Sequence, residues 1–219
     1  MAVLLAIDTS AGTSVALCRD GKLVAEVNVI DNMRHAETIG TAIEQVLREA
    51  GISGVEVDEV VVGRGPAPFT GLRVGIAAAV MFAEAVSAKL SGVVSLDAIA
   101  LAALAESQAD QAQPLLVTTD ARRSEVYWAL YSGVSSSGLP QRVEGPLVSK
   151  PTALAELLAE RGLTPRTTDF KISGAALAKL ALVAQAADVL DADVSALYLR
   201  APDAVEPKAP GVFGKRVSS

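Results

Sequence analysis

The sequence predicts an α/β protein built from two units that repeat one pattern. Apolar runs of strand length alternate with stretches in which apolar residues recur at helical spacing. The stretches LLAID-TSAGTS-VAL and LVTTD-ARRSE-VYWAL both read as an apolar strand that ends in an aspartate, a polar turn and a return strand. With 51% hydrophobic residues in 219, the chain can bury a substantial core.

The first half of the sequence predicts the element order β-β-β-α-β-α-β-α. Asp20-Gly21 gives a tight turn between the second and third strands, Gly51 ends the first helix, and Thr70 is placed to cap the second. The predicted strands are 3–7, 14–18, 23–29, 59–62 and 93–95, and the predicted helices are 36–50, 70–90 and 97–106.

The second half repeats the opening pattern and is shorter. It predicts strands at 115–119, 125–131, 147–149 and 171–173, a helix at 152–161 and an alanine-rich helix from 175 onward. A repeat at this scale indicates duplicated ribonuclease-H-like units, here 1–108 and 109–201, followed by a flexible tail, 202–219. Two such units facing each other form the actin/hexokinase/heat-shock-protein (ASKHA) architecture, which has a nucleotide cleft between them.

Composition narrows the chemistry. The sequence has one histidine, His35, and one cysteine, Cys18, so a histidine/cysteine zinc site cannot be assembled within it, and no HExxH, GxSxG or Walker loop occurs. A single cysteine fits a reducing, cytoplasmic compartment. The net charge of −6 argues against tight binding of tRNA by this chain alone. Charged residues interrupt the apolar runs, which disfavours a signal peptide or a membrane span; a buried helix fits the run 70–90 better.

Four polar residues form a candidate cofactor site in the predicted cleft. Asp8, Ser10 and Thr13 follow the first strand, and Asp120 ends the corresponding strand of the second unit. Carboxylates at strand carboxyl ends could hold phosphates or a hydrated magnesium ion. The alternative is that each aspartate only caps its own turn by accepting backbone N–H groups. Without a glycine-rich adenosine loop in the second unit, independent ATP binding is not expected, and we predict neither a catalytic nor a metal-binding residue.

The segment 63–75 joins the fourth strand to an unusually apolar helix. Its helix start could receive an anion, but two prolines remove N–H donors, which favours a rigid corner. The helix is apolar on nearly every side as far as Glu84. A neighbouring helix or another protein must therefore cover its outer face, and we favour a partner protein. The predicted partner interface comprises Arg34, His35, Leu72, Arg73, Ile76, Val80 and Ala83.

Five motifs, in order along nearly the whole chain, resemble those of TsaB (YeaZ-type) proteins. Leu5 to Ser10 is similar to that family's opening, and Arg34-His35-Ala36-Glu37 to its RHSE-like segment. The stretch 65–75 resembles GPGSFTGLRIG, with Ala67 and Pro68 in place of Gly-Ser. The stretch 120–127 resembles DARRxEVY, and Tyr198-Leu199-Arg200 matches YLR.

The resemblance implies the paired ribonuclease-H-like fold and a non-catalytic role beside TsaD. In that family the subunit forms a heterodimer with TsaD, or a homodimer alone, through the first two helices, and works with the ATPase TsaE. The machinery transfers threonylcarbamoyl to the adenosine 3′ of the anticodon in tRNAs that read codons beginning with A. It further implies that tRNA is reached only through the complex, and that ATP or ADP with magnesium is at most weakly bound or shared with TsaD. A small-molecule kinase of the same fold is the alternative, and a protease is a more distant one.

Overall fold

The computed structural model describes residues 2–30, 35–106 and 113–200. The predicted tail, 202–219, and Arg34 lie outside these residues. The elements are β1 (Val3–Asp8), β2 (Thr13–Arg19), β3 (Lys22–Val29), α1 (His35–Ala50), β4 (Glu59–Gly63), α2 (Phe69–Val86), β5 (Lys89–Val93), α3 (Ser95–Glu106), β6 (Leu115–Asp120), β7 (Val126–Val134), β8 (Pro140–Ser149), α4 (Pro151–Glu160), β9 (Arg166–Thr167) and α5 (Gly174–Ala186).

Two mixed sheets carry the repeated topology. The first has the strand order β3-β2-β1-β4-β5, with β1 antiparallel to β2 and parallel to β4. The second has the order β8-β7-β6-β9, with β6 antiparallel to β7 and parallel to β9. In each sheet the first three strands of the unit pair antiparallel to one another. The strand on the other side of the first strand runs parallel to it. This confirms two ribonuclease-H-like units of the ASKHA type.

The first sheet is covered on both faces, which explains why β1 is apolar throughout. Leu5 and Ile7 pack in one cluster with α1 and α2, whereas Leu4 and Ala6 point to the opposite face, into a second cluster with α3 and α5. One face of the second sheet joins this second cluster through β6 and β7. The other face packs on α4 around Trp128. The layers therefore run α1/α2, first sheet, α3/α5, second sheet, α4.

Helix α5 comes from the second half of the chain but packs on the first sheet. Its Ala175 N–H donates to the Glu26 carboxylate of β3 at 2.8 Å, and Ser173 caps it by accepting the Ala176 N–H at 3.1 Å. A Cβ on Gly174 would lie 2.6 Å from the Ala16 amide nitrogen of β2. Helix α5 lies within the predicted second unit, 109–201, and thus ties the two halves of the chain together. The proposed division at 108/109 stays a prediction.

Several element boundaries differ from the predictions. Helix α2 ends at Val86, since Ser87 adopts a left-handed backbone (φ 58°), and residues 89–93, rather than 93–95, form β5. Thr70 lies inside α2 and does not cap it, because the helix begins at Phe69, after Pro68. The ninth strand is Arg166–Thr167, and the predicted strand 171–173 does not form.

By length and composition alone, α2 is long and apolar enough to cross a membrane, and it is the one helix of that kind in the parts of the chain described here. Within this chain the helix is buried on one side only. Gly71, Leu72, Gly75, Ala79 and Ala83 are buried, while the opposite side is exposed. The buried side packs on β4 and β1, so α2 is a core helix of the α/β fold with one open face.

Candidate functional site

A cleft of about 530 Å³ lies between the two units. One wall comes from the turn after β1 and from the start of α1 and α2; the other comes from the turn after β6 and from Arg200. Of the four predicted cofactor residues, Ser10 and Asp120 line this cleft, whereas Asp8 and Thr13 are buried behind it. Their role as nucleotide ligands stays a prediction.

Asp8 is fully buried, and both of its carboxylate oxygens are engaged. Oδ1 accepts the Ser10 N–H at 2.7 Å and the Ser10 hydroxyl at 2.6 Å, and Oδ2 accepts the Ser95 hydroxyl at 2.6 Å. The Ser95 oxygen in turn accepts the Gly65 N–H at 3.2 Å. Asp8 therefore ties the turn after β1 to the loop after β4 and to the start of α3.

Burial has the largest effect on the pKa of Asp8. It raises the pKa of this carboxyl above its usual value near 3.8, against the lowering effect of the hydrogen bonds from Ser10 and Ser95. The folded chain therefore holds a proton at Asp8 over a pH window that begins near 3.8 and in which the unfolded chain has already lost it. Stability contributed by this site is present at low pH and falls as the pH rises through the raised pKa.

Replacing Asp8 by Asn is expected to flatten the dependence of stability on pH. Between pH 4 and 7, the free energy of unfolding of the parent protein should fall relative to that of Asp8→Asn, since the variant has no proton to lose. Urea unfolding across this range measures the difference, and the raised pKa of Asp97, which both proteins share, cancels in it. Parallel pH profiles for the two proteins would contradict the assignment.

Thr9, which lines the cleft, and Thr13, which is buried behind it, hold α1 and α2 in place. The Thr9 hydroxyl donates to the Gly71 carbonyl at 2.8 Å, and a Cβ on Gly75 would lie 2.1 Å from the Thr9 oxygen. The Thr13 hydroxyl lies 3.3 Å from His35 Nδ1 and is hydrogen-bonded to another hydroxyl of α1. Glycine is therefore required at positions 71 and 75, because α2 approaches the turn after β1 closely there.

Asp120 stands at the mouth of the cleft and organises the turn after β6. Its Oδ1 accepts the Arg122 N–H at 2.8 Å, and its Oδ2 lies 3.6 Å from the Arg122 guanidinium. Arg122, Arg123 and Ser124 all have a left-handed backbone, with φ of 63°, 54° and 57°. The capping role predicted as the alternative accounts for these contacts.

The predicted partner interface needs a correction at two positions. Leu72 and Ala83 are buried against the first sheet, with relative exposures of 0% and 3%, so they cannot meet a partner. Arg73 is exposed, and Ile76 and Val80 are half-buried. His35 is half-buried at the mouth of the cleft. Whether these four contact a partner stays a prediction.

Three groups of contacts were not predicted. Phe69 and Tyr198 stack with ring centroids 4.3 Å apart, and the Tyr198 hydroxyl accepts from Arg73 Nε at 2.8 Å. Arg64 binds the segment before Tyr198 through Asp193 at 2.5 Å and the Ser195 carbonyl at 3.0 Å. Arg200 pairs with Glu125 of the second unit. For the contacts of Tyr198 and Arg200, the motif matches at both ends were the signal in the sequence, whereas Arg64, Asp193 and Ser195 lie outside every motif.

Comparison with known proteins identifies the family to which the chain belongs. The family model for TsaD, tRNA N6-adenosine threonylcarbamoyltransferase, matches residues 29–213. An uncharacterized protein of Mycobacterium leprae is 40% identical over 158 residues, which are 69% of this chain and 40% of that protein. The tRNA threonylcarbamoyladenosine biosynthesis protein TsaB of Escherichia coli is 32% identical over 158 residues, or 72% of this chain and 66% of that protein.

A solved structure gives the same result. The crystal structure of a Pseudomonas aeruginosa protein with similarity to peptidase YeaZ superposes with a TM-score of 0.75 at 27% identity, and the match covers 91% of this chain and all of that one. The chain spans less than two thirds of the length of the curated relatives named above. The chain belongs to the TsaD family of tRNA N6-adenosine threonylcarbamoyltransferases, in its TsaB (YeaZ-type) group.

Proposed function

We propose that this chain acts in tRNA threonylcarbamoyladenosine biosynthesis as a non-catalytic subunit of TsaD. In this role it supports transfer of threonylcarbamoyl to the adenosine 3′ of the anticodon in tRNAs that read codons beginning with A. The names of its relatives and of the matched family support the pathway. The open face of α2 is the observation that carries the subunit role.

The middle of that face, between the exposed Arg73 and Glu84, is apolar where a surface helix is normally polar. Met81 is 72% exposed, Ala77 is exposed, and Val80 is half-buried beside them. Helix α1 packs next to α2, so the two helices together present one outer layer of the fold. Covering this surface removes apolar area from water, which favours association with a second polypeptide. We propose TsaD as that polypeptide, with a homodimer forming through the same helices when TsaD is absent.

Two side chains that could react, Cys18 and Asp8, are buried in the fold, which agrees with a non-catalytic role. Cys18 is buried in β2, where burial and the nearby Glu26 charge raise the pKa of the thiol and disfavour the nucleophilic thiolate. The Asp8 carboxylate is occupied by two serines. We propose that any ATP or ADP with magnesium is shared with TsaD, that TsaE supplies ATP hydrolysis, and that tRNA is bound through the assembly in the cytoplasm.

A charged side chain on the open face of α2 tests the subunit role. Val80→Glu is expected to raise the dissociation constant for TsaD by about 10-fold or more, because a carboxylate would be buried in an apolar contact. The rate of tRNA modification in a mixture of purified components should fall with it. Calorimetry and transfer of labelled threonylcarbamoyl measure the two quantities.

Val143→Glu is the matched control. Val143 is 57% exposed on β8, in the other unit, so this variant should bind TsaD like the parent protein. Unchanged affinity for TsaD in Val80→Glu would contradict the proposed surface. Full-rate modification by TsaD without this chain would contradict the proposed function itself.

A further inference from the structure

Residues 187–200, which follow α5, form a strap that crosses the first unit and ends at the cleft. The strap first lies along β5, the edge strand of the first sheet, where the Gly92 N–H donates to the Asp191 carbonyl at 2.9 Å. A Cβ on Gly92 would lie 2.3 Å from the Asp193 carbonyl oxygen, so the strap is in close contact with β5. Val194 then packs against the cluster that contains α1 and α2. The strap thus covers part of an open sheet edge and reaches the layer of α2.

One arginine of the loop after β4, Arg64, holds the strap at several points. Its guanidinium pairs with Asp193 at 2.5 Å and lies 3.9 Å from the Asp191 carboxylate. Its Nε donates to the Ser195 carbonyl at 3.0 Å, and its own carbonyl accepts the Leu197 N–H at 2.9 Å. The Arg64 side chain is 17% exposed, so solvent screens its contacts less than it would at an open surface. The course of the strap across the first unit therefore depends on Arg64.

The strap meets α2 at Tyr198. Its ring stacks on Phe69 in the first turn of the helix, and its hydroxyl accepts from Arg73 Nε, one turn further on. The Arg73 guanidinium carbon lies 5.3 Å from the centroid of the Phe69 ring and 5.5 Å from that of the Tyr198 ring, within the range of a cation–π contact. Tyr198 thus binds two successive turns of α2 and restricts the orientation of the Arg73 side chain.

Arg73 belongs to the row of residues that forms the open face of α2. Arg73, Ala77 and Met81 follow one another at intervals of four residues, which places them on one side of the helix, and all three are exposed. Tyr198 is 39% exposed beside them. The open face therefore continues from its apolar middle into a cluster of arginine and aromatic rings, side chains that are enriched at protein interfaces. One member of this cluster comes from the far end of the chain.

We propose that the strap is part of the surface that binds TsaD, and that Arg64 is the residue that positions it. The proposal rests on the proposed function, because the partner is the same. Arg64 lies outside α2 and acts through Tyr198, which holds Arg73 in one orientation before the partner arrives. A partner that contacts Arg73 then loses less affinity to the ordering of that side chain.

Hydrogen exchange on the full chain tests the role of Arg64 without the partner. In Arg64→Gln the Gly92 and Leu197 N–H groups, which bond between the strap and the first unit, are expected to exchange about 10-fold faster or more, while β1 keeps its protection. Arg161→Gln is the matched control, because it removes an ion pair with Glu144 in the second unit. Unchanged exchange at the two groups, or an equal rise in β1, would overturn the role of Arg64.

Calorimetry with TsaD tests the role of the strap in the surface. Arg64→Gln and Tyr198→Ala are each expected to raise the dissociation constant by about 5-fold or more, and Arg161→Gln should bind like the parent protein. Because Arg64 acts through Tyr198, the double variant should bind within about 2-fold of Tyr198→Ala alone.

Two results of the binding experiment would reject the strap alone. One is parent-like binding of TsaD by Tyr198→Ala, even if that variant loses self-association or RNA binding. The other is a double variant in which the two single effects multiply, since Arg64 would then act independently of Tyr198. A parent protein that does not bind TsaD would instead reject the proposed function, and the strap's part in it would fall with it.

Discussion

Gly174→Ala is expected to destabilise the protein by about 3 kcal/mol, at the upper end of the cost of overpacking a core. The added Cβ would lie 2.6 Å from the Ala16 nitrogen and 2.7 Å from the Val15 carbonyl carbon. Both are backbone atoms of β2, a strand inside the sheet, so neither can move aside as a flexible side chain would. Helix α5 must then retreat from the sheet on which it packs. For a chain of this size the midpoint of thermal unfolding should fall by about 6–12 °C.

Gly40→Ala supplies the control for helix propensity. Gly40 is exposed in α1, and a Cβ there would meet nothing within 4 Å. Alanine should raise stability at this position by about 0.5–1 kcal/mol, because glycine loses more backbone freedom in a helix. Urea unfolding of both variants should give opposite signs. A stabilising or neutral Gly174→Ala would show that α5 does not approach β2 as closely as described.

Tyr131→Phe is expected to cost about 2 kcal/mol. Tyr131 is fully buried in β7, and its hydroxyl donates to Asp97 Oδ1 of α3 at 2.7 Å. The Arg142 guanidinium lies 3.4 Å from the same oxygen. Without the hydroxyl, Asp97 keeps its ion pair with Arg142 and loses the hydrogen bond from Tyr131. Both interactions lie in the contact between the two units. Because burial raises the pKa of Asp97, the loss concerns a carboxylate that water solvates poorly.

Tyr198→Phe is the matched control, because its hydroxyl also bonds to a charged side chain but at the surface. Tyr198 is 39% exposed, and its partner Arg73 is exposed as well. Its loss should lie within about 0.5 kcal/mol. Thermal or urea unfolding distinguishes the two. Equal losses would mean that burial does not set the strength of the Tyr131 contact.

Periodicity and the internal repeat were sufficient to predict the architecture. The strand-aspartate-turn-strand pattern occurs twice because each unit begins with the same antiparallel hairpin, and both hairpins form. The side of α2 that faces the sheet was harder to predict. Its apolar residues surround the helix, so hydrophobicity gave no direction, and Leu72 and Ala83 were assigned to the partner surface. Gly71 and Gly75 mark the buried side, since only glycine permits the close approach to Thr9.

The candidate site depends on contacts between distant parts of the chain. Asp8 and Ser95 are 87 residues apart, and no pattern around either predicts that one binds the other. Arg64 and Ser195 are separated by 131 residues. Sequence reasoning therefore located Asp8 and Asp120 at the ends of their strands. It could not determine that Asp8 is sealed behind the cleft while Asp120 faces it beside two arginines.

The crossing of α5 onto the first sheet has a consequence for synthesis of the chain. The face of β1 that carries Leu4 and Ala6 lacks part of its cover until α5, which ends at Ala186, has left the ribosome. The amino-terminal half thus emerges with an apolar surface that is not fully covered, and such a surface is prone to aggregation during translation. A nascent chain that stops before α5 would leave the first sheet partly uncovered, so the first unit completes its core only when the second has been synthesised.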